Sequence, residues 1–259
     1  MIDDLNTIIT GDSIAVMKEF VEKYPDGIFD TVIADPPYNL NKGYSNYDDD
    51  KSHEEYVKWC DEWTNLICDI VRPGGSVFIL NIPKWAVYHA HTLNKRMIFR
   101  NWIVWDALSY PVGKILPAHY ALLYYTKPNG NVTQNYDDVK CIPSSDYCIR
   151  PKCMVSRKLA GIDDKTLLTD IWHDILRIKH KKYRDEHPCQ LPPEFVCRII
   201  NYSTNIGDTV YDPFGGVGTT AMAAKECSRN YVISDIDPNY TSIAQDNIKN
   251  VQLNLKQLF

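Results

Sequence analysis

The 259-residue chain lacks any apolar run approaching the roughly 18–20 residues of a membrane helix, so a spanning segment is not expected. Its first residues, Met1-Ile2-Asp3-Asp4, lack the basic and then apolar pattern of a secretory leader. The eight cysteines are scattered, without the dense framework of a disulfide-stapled domain. These absences point to a cytoplasmic protein with reduced thiols. Positive charge is in deficit, 28 Lys and Arg against 33 Asp and Glu, so attraction to a polyanion must come from a local patch. No internal repeat is present. At 44% apolar residues, overall disorder is excluded, and the length suits one sizeable domain with an inserted subdomain.

What is present alternates between short apolar runs and helical patterns. Leu5 to Thr10 reads as a strand, Ser13 as the cap of a helix from Ile14 to Glu22, and Ile28 to Ala34 as a second strand. Residues 39–51 are polar, with three consecutive aspartates, and read as a mobile loop. Ser52 and Glu55 form a capping-box pattern for a helix that Pro73-Gly74-Gly75 would end. Its aromatic residues Trp59 and Trp63 read as core. Ser76–Leu80, Phe99–Trp105 and Tyr120–Thr126 read as strands, with a helix from Trp85 to Met97. The pattern fails from about Lys127 to Asp170, then resumes with a helix carrying Phe195, Val196, Ile199 and Ile200. A strand at Thr209–Tyr211, a helix at Thr219–Cys227, a strand at Tyr231–Ile236 and a final helix complete the chain. This alternation favours an open α/β sheet, mostly parallel, with helices on both faces. The division expected is 1–126 and 186–259 as two parts of one catalytic domain, with 127–185 as an insertion.

Two stretches stand out. Asp35-Pro36-Pro37-Tyr38 follows the second strand. The prolines fix φ and donate no N–H, and each biases the residue before it towards an extended backbone. The result is a stiff turn rich in acceptors beside a flat ring, suited to an exocyclic amine on a planar base. Asp212-Pro213-Phe214-Gly215-Gly216-Val217-Gly218-Thr219-Thr220 follows a strand and opens a helix. Its glycines permit close backbone approach to a ligand, and the helix start offers free N–H groups. The Gly-Lys-Ser/Thr ending of a nucleoside triphosphate loop is missing. Asp212 would sit awkwardly beside a pyrophosphate but suits a cation. Asp235, or Asp237 in its place, ends the next strand where an acid can bond ribose hydroxyls. A ligand with ribose, adenine and positive charge fits S-adenosylmethionine better than NAD. In common nucleotide-binding sheets the Gly-rich turn follows the first strand; here it comes about 40 residues from the C-terminus. The sheet is therefore expected to be a circular permutation of that plan, with the last two strands beside the first two.

These residues resemble the β group of amino-methylating DNA methyltransferases, which act on exocyclic nitrogens. Asp35-Pro36-Pro37-Tyr38 is similar to their catalytic motif, and Asp212-Pro213-Phe214 with Gly216-Val217-Gly218-Thr219-Thr220 to their methionine-binding motif. The resemblance implies a circularly permuted, Rossmann-like fold and S-adenosylmethionine as cofactor. Catalytic roles fall to Asp35, Pro36, Pro37 and Tyr38. Cofactor contacts fall to Asp12, Asp35, Asp212, Phe214, Gly216, Gly218, Thr219 and Asp235. His187-Pro188-x-Gln190 looks like the segment that closes over the methionine moiety, so His187 and Gln190 join that set, although Leu191-Pro192 follows where the family often has Lys and then Pro. Asp in the first motif position usually accompanies adenine N6 in this family, and Ser cytosine N4. The implied substrate is therefore adenine in double-stranded DNA, flipped out of the helix, with cytosine N4 as the alternative. The family's habits also admit a homodimer and a cognate restriction endonuclease.

The segment 127–185 carries no alignable family motif, as a target-recognition region would. Arg177, Lys179, Lys181, Lys182 and Arg184 follow it, five cations in eight residues without an acid, and are expected to meet DNA phosphates. Arg150, Lys152, Arg157 and Lys158 form a weaker cluster. Cys141, Cys148 and Cys153 are spaced by six and four residues without an evident fourth ligand, so no metal is expected. Cys189 is a poor candidate for a C5-cytosine nucleophile, because it lies beside the cofactor segment and far from the strand-end motif. RNA or protein amide methylation, which uses related motifs beginning with Asn, and a catalytically silent binding subunit are the competing readings.

Overall fold

The computed structural model of the chain describes residues 5–43, 46–107, 115, 117–139, 168–178 and 191–251. In chain order the elements are β1 (Thr7–Thr10), α1 (Ser13–Lys23), β2 (Phe29–Ala34), α2 (His53–Ile70), β3 (Val71–Asn81), α3 (Pro83–Leu93), β4 (Ile98–Trp105), β5 (Tyr120–Thr126), β6 (Ile171–Trp172), α4 (Pro193–Ser203), β7 (Thr209–Asp212), α5 (Thr219–Glu226), β8 (Asn230–Asp235) and α6 (Pro238–Lys249). A 3₁₀ turn covers Asp137–Val139. The eight strands form one sheet in the order β1-β8-β7-β2-β3-β5-β4-β6. Only the β3–β5 and β5–β4 pairs are antiparallel. Thr7 pairs with Val232 and Thr31 with Val210, so the last two strands lie between the first two, and the expected permutation is present.

Strict alternation along each central strand builds two cores, because successive side chains point to opposite faces. Val32, Ala34, Val77, Ile79, Leu123 and Tyr125 meet Met17, Trp63 and Ile67 of α1 and α2 on one face. Ile33, Phe78, Leu80, Leu122, Val210 and Ile233 meet Phe195, Ile199, Ala221 and Ala244 of α4, α5 and α6 on the other. The chain leaving β2 thus crosses to one face and the chain leaving β7 to the other. Two adjacent parallel strands whose connections part in this way open a crevice at their carboxyl ends.

Several local expectations are corrected. Asp12, not Ser13, caps α1: its carboxylate accepts the Ala15 N–H at 3.0 Å, and Ser13 is the first helical residue. Helix α2 ends at Ile70, before Pro73-Gly74-Gly75, because Val71 already pairs with Phe29 in the sheet. Gly74 instead turns β3 against the chain after β5: its φ is +77°, and a Cβ there would lie 2.3 Å from the Asn131 carbonyl oxygen. Helix α3 starts at Pro83, which needs no N–H partner in a first turn, and stops at Leu93 rather than Met97. The described parts of segment 127–185 pack on the sheet and on the end of α4. Lys127 N–H bonds Gly75 O at 2.9 Å, and the Asn135 side chain donates to Thr204 O at 2.8 Å. Residues Ile171 and Trp172 form β6, with Trp172 in the second core.

Candidate active site

The crevice between β2 and β7 is a cleft open to solvent. Both sequence-marked turns line it, together with Asp12, Asp235 and Asp237 from the ends of β1 and β8. Residues 177 positions apart in sequence therefore converge, because four parallel strands deliver their carboxyl ends to one edge.

The turn after β2 is held by long side chains from α2 and α3. The Tyr56 hydroxyl donates to the Pro37 carbonyl at 2.5 Å, and the Trp85 indole N–H to the Tyr38 carbonyl at 2.7 Å. The Tyr38 hydroxyl donates to Asp35 Oδ1. Tyr38 is 8% exposed, with its ring centroid 5.9 Å from that of Tyr120 and the Lys42 ammonium 5.8 Å from it. Burial pushes the Asp35 carboxyl up to about 7. The Tyr38 hydrogen bond opposes that rise, Asp212 adds to it, and Lys42 opposes it.

The turn after β7 is held mainly by its own backbone. Asp212 is 5% exposed and accepts from Phe214 N–H at 2.9 Å and from the Thr220 hydroxyl at 2.5 Å. Burial raises this carboxyl to about 7 as well, against those two hydrogen bonds, with Asp235 adding repulsion. Gly215 N–H bonds Ser234 O at 2.8 Å, and a Cβ on Gly215 would come within 2.8 Å of Ile233. Gly218 has φ +89° and lies against Ala244, and no side chain caps α5. The first N–H groups of α5, with Thr219 and Thr220 lining the cleft, are thus available to an anionic group. Asp235 Oδ2 accepts Gly216 N–H at 2.8 Å, and its carboxyl is raised, chiefly by burial.

Sequence reasoning missed several residues of this cleft. The loop 39–51, read as mobile, is cross-linked among its described residues. Asp49, 3% exposed, accepts the N–H groups of Asn39, Leu40 and Lys42 at 2.8, 3.1 and 3.0 Å. Asn39 and Lys51 exchange two further bonds at 2.7 and 2.8 Å. Asparagines at 39 and 41 adopt φ +53° and +54°, which Asn tolerates. The loop brings Asn46 and Tyr47 to the cleft; the Asn and Asp content was the available signal for turn structure. Trp59, read as core, lines the cleft and packs at 5.7 Å from Phe214, whereas Trp63 is core as expected. Leu191, Ile236 and Tyr240 also line it.

Of the expected DNA contacts, Arg177 is described. Its guanidinium donates to the Tyr120 hydroxyl at 3.3 Å, and Tyr120 neighbours Tyr38. Lys179, Lys181, Lys182 and Arg184 lie outside the described residues, as do His187, Cys189, Gln190 and Cys141, Cys148 and Cys153. Among the described residues no helix is long and apolar enough to cross a membrane.

Residues 29–246 match the N6_N4_Mtase family model of DNA methylases. The type II methyltransferase M.BamHI of Bacillus amyloliquefaciens is 35% identical over 88% of this chain; the match covers 54% of that relative, so the chain spans about half its length. The DNA adenine methyltransferase YhdJ of Escherichia coli K12 is 27% identical over 92% of this chain and 81% of its own. Among solved structures, the M1.HpyAVI complex with SAM superposes with a TM-score of 0.64 at 20% identity, covering 93% of this chain and 98% of that one. The cytosine-N4-specific PvuII DNA methyltransferase gives 0.66 at 16% identity over 97% and 89%. At these identities the two structures establish the common fold.

Proposed function

The chain belongs to the DNA methylase family, and from that premise we propose that it transfers a methyl group from S-adenosylmethionine to the exocyclic N6 of adenine in double-stranded DNA. The observation that carries this reading is the pair of strand-end carboxylates, Asp35 and Asp212. Both are raised to about 7 by burial in one cleft, with Asp212 adding to the rise at Asp35 and Asp235 to that at Asp212. Such a site binds a cation, because an opposite charge nearby restores the ionised form. The cleft offers the rest of a fit: an uncapped helix start for a carboxylate, the Trp59–Phe214 surface for an apolar group, and acids at Asp12, Asp235 and Asp237 for hydroxyl and amine donors.

Bound S-adenosylmethionine supplies an electrophilic methyl on a positively charged sulfur. Asp212, Phe214, Gly216, Gly218 and Thr219 would hold its methionine end, Asp12 and the acids after β8 its nucleoside end, with His187 and Gln190 closing over it. Asp35 and the Pro36 carbonyl accept the N–H bonds of the incoming amine. Its lone pair is conjugated into the ring, so fixed acceptors that favour tetrahedral nitrogen stabilise the transition state more than the ground state. Each such interaction is worth about 2–4 kcal/mol, and holding both reactants in line supplies roughly 7–11 kcal/mol. The prolines and the Tyr56 and Trp85 bonds keep these acceptors from relaxing. The amine takes the place of the Tyr38 hydroxyl on Asp35, leaving Tyr38 to stack on the flipped base. Arg177, with Lys179, Lys181, Lys182 and Arg184, binds the phosphate backbone. Segment 127–185 reads the target sequence, and the enzyme works in the cytoplasm, either as the partner of a restriction endonuclease or as a solitary enzyme.

Adenine rather than cytosine rests on Asp35 opening the motif. The test is methyl transfer from labelled S-adenosylmethionine to unmethylated DNA, followed by nucleoside analysis, with Asp35→Ala alongside. N6-methyladenine that disappears in the variant supports the reading. N4-methylcytosine overturns the choice of base, and absence of any DNA product overturns the substrate.

A further inference from the structure

His89 of α3 is a buried titratable group that the proposed reaction does not use; it is 1% exposed and lies against Trp63 of the first core. Two other buried polar side chains meet it, Thr64 of α2 and Asn81 at the end of β3. The direction of each bond can be fixed. Ile82 N–H can only donate, and it meets Asn81 Oδ1 at 2.8 Å. The other end of that amide, Nδ2, is therefore the donor to His89 Nε2 at 3.1 Å. A ring nitrogen that accepts carries no proton, so the imidazole is neutral and its proton is on Nδ1, 3.3 Å from Thr64 Oγ1. Burial favours the same state, pushing the His89 pKa down to about 3.

The cluster ends at the Asp35 turn. Ala34, the last residue of β2, pairs with Ile79, so Asn81 stands two residues further along β3, level with the turn. Its amide also donates to the Tyr56 hydroxyl, which itself donates to the Pro37 carbonyl at 2.5 Å. Ile82, held by Asn81 Oδ1, is the N-cap of α3, and its carbonyl accepts the Trp85 and Ala86 N–H groups at 3.0 Å each. Trp85 in turn donates to the Tyr38 carbonyl at 2.7 Å. Both outside donors of the Asp35 turn thus depend on one amide, and His89 orients that amide. Buried polar side chains cost more than apolar ones of the same shape, so what this set adds is direction.

We infer that Asn81 and His89 are positioning residues for methyl transfer: the neutral imidazole orients the Asn81 amide, and the amide fixes Tyr56 as donor to Pro37 and sets the start of α3 that carries Trp85. The inference rests on the reading of the Asp35 turn as the acceptor of the methylated amine. Neither residue touches a substrate; each acts through the carbonyls that the turn holds in place.

The test compares His89→Gln with His89→Asn, two neutral polar substitutions. The Gln amide reaches the place of Nε2 and can accept from Asn81; the Asn amide reaches only that of Nδ1. Measured are kcat on unmethylated genomic DNA, S-adenosylhomocysteine affinity by calorimetry and the melting temperature. His89→Asn should lower kcat by about 10–100-fold, as a misplaced catalytic group does, with affinity unchanged, and His89→Gln should recover most of that loss. Asn81→Leu, which removes both links, should lower kcat furthest. In a Tyr56→Phe background His89→Asn should cost much less than it does alone. Imidazole nitrogen shifts of the wild type should place the His89 proton on Nδ1. Equal kcat in His89→Asn and His89→Gln, a loss that follows S-adenosylhomocysteine affinity, full additivity with Tyr56→Phe, or a proton on Nε2 overturns the inference. Folded wild type that binds S-adenosylhomocysteine but methylates no DNA overturns the proposed reaction, and the inference with it.

Discussion

The turns after β2 and β7 present the same group, a carboxylate raised to about 7, but are built by opposite means. The Asp212 turn is self-contained: its own backbone N–H groups and Thr220 hold the carboxylate, and glycines let the chain lie against Ile233 and Ala244. The Asp35 turn has few donors, since two of its four residues are prolines. It borrows them from distant helices, Tyr56 on α2 and Trp85 on α3. A turn with its own N–H donors can thus be held locally, whereas a turn of prolines, rich in acceptors, needs outside support to stay rigid.

The largest expected effect separates the two turns by role. Asp35→Ala should lower kcat by about 10²–10³-fold or more while S-adenosylhomocysteine affinity changes only a few-fold. Asp212→Ala should weaken that affinity first. Equal loss of ligand binding in both variants would erase the contrast.

Next in size is the steric limit of the local turn. Gly218→Val meets both a positive φ and the Ala244 Cβ at 2.8 Å, so it should destabilise the protein by about 2–3 kcal/mol in urea unfolding. A change below about 0.5 kcal/mol would mean that the turn relaxes freely.

Smaller effects should follow loss of the borrowed support. Tyr56→Phe removes the donor to Pro37 O and should cost about 1–2 kcal/mol of stability. It should lower kcat without altering cofactor affinity. A change in affinity instead would show that the props serve both turns.

The last prediction concerns what the turns share. Asp35 and Asp212 have folded pKa values near 7 against 3.8, so the free protein binds more protons than the unfolded chain across that window. Their ionisation therefore makes the free protein less stable as pH rises from about 4 to about 7. A cation favours the ionised pair, so S-adenosylmethionine affinity should fall by up to about tenfold as pH drops from 8 to 6. S-adenosylhomocysteine, which lacks the sulfonium charge, should depend less on pH. Calorimetry at three pH values checks this, and identical profiles for the two ligands would remove the electrostatic role of the pair.

The contrast also explains what was legible. Gly215 to Thr220 carries its own conformational instructions, and so does the alternation that sorts Val32 from Ile33 between two cores. Local chemistry written in consecutive residues can be read without the fold. Tyr56, Trp59 and Trp85 could not be assigned from sequence, because an aromatic at a helical spacing has the same pattern whether it fills a core, lines a cleft or donates to a remote carbonyl. The acid-rich loop before α2 suggested mobility because charge implies solvent. Asp49 reverses that by turning inward onto three backbone N–H groups, a choice set by tertiary contacts.

By itself the sequence determined the elements, their alternation, the two turns and the order in which they occur. Period-2 and helical patterns depend only on neighbouring residues, and proline and glycine restrict or free the backbone locally. Tertiary structure decided that Asp12, Asp35, Asp212 and Asp235 share one cleft, and that the two central carboxyls lose their water together. Proximity and desolvation arise only when strands distant in sequence pair side by side.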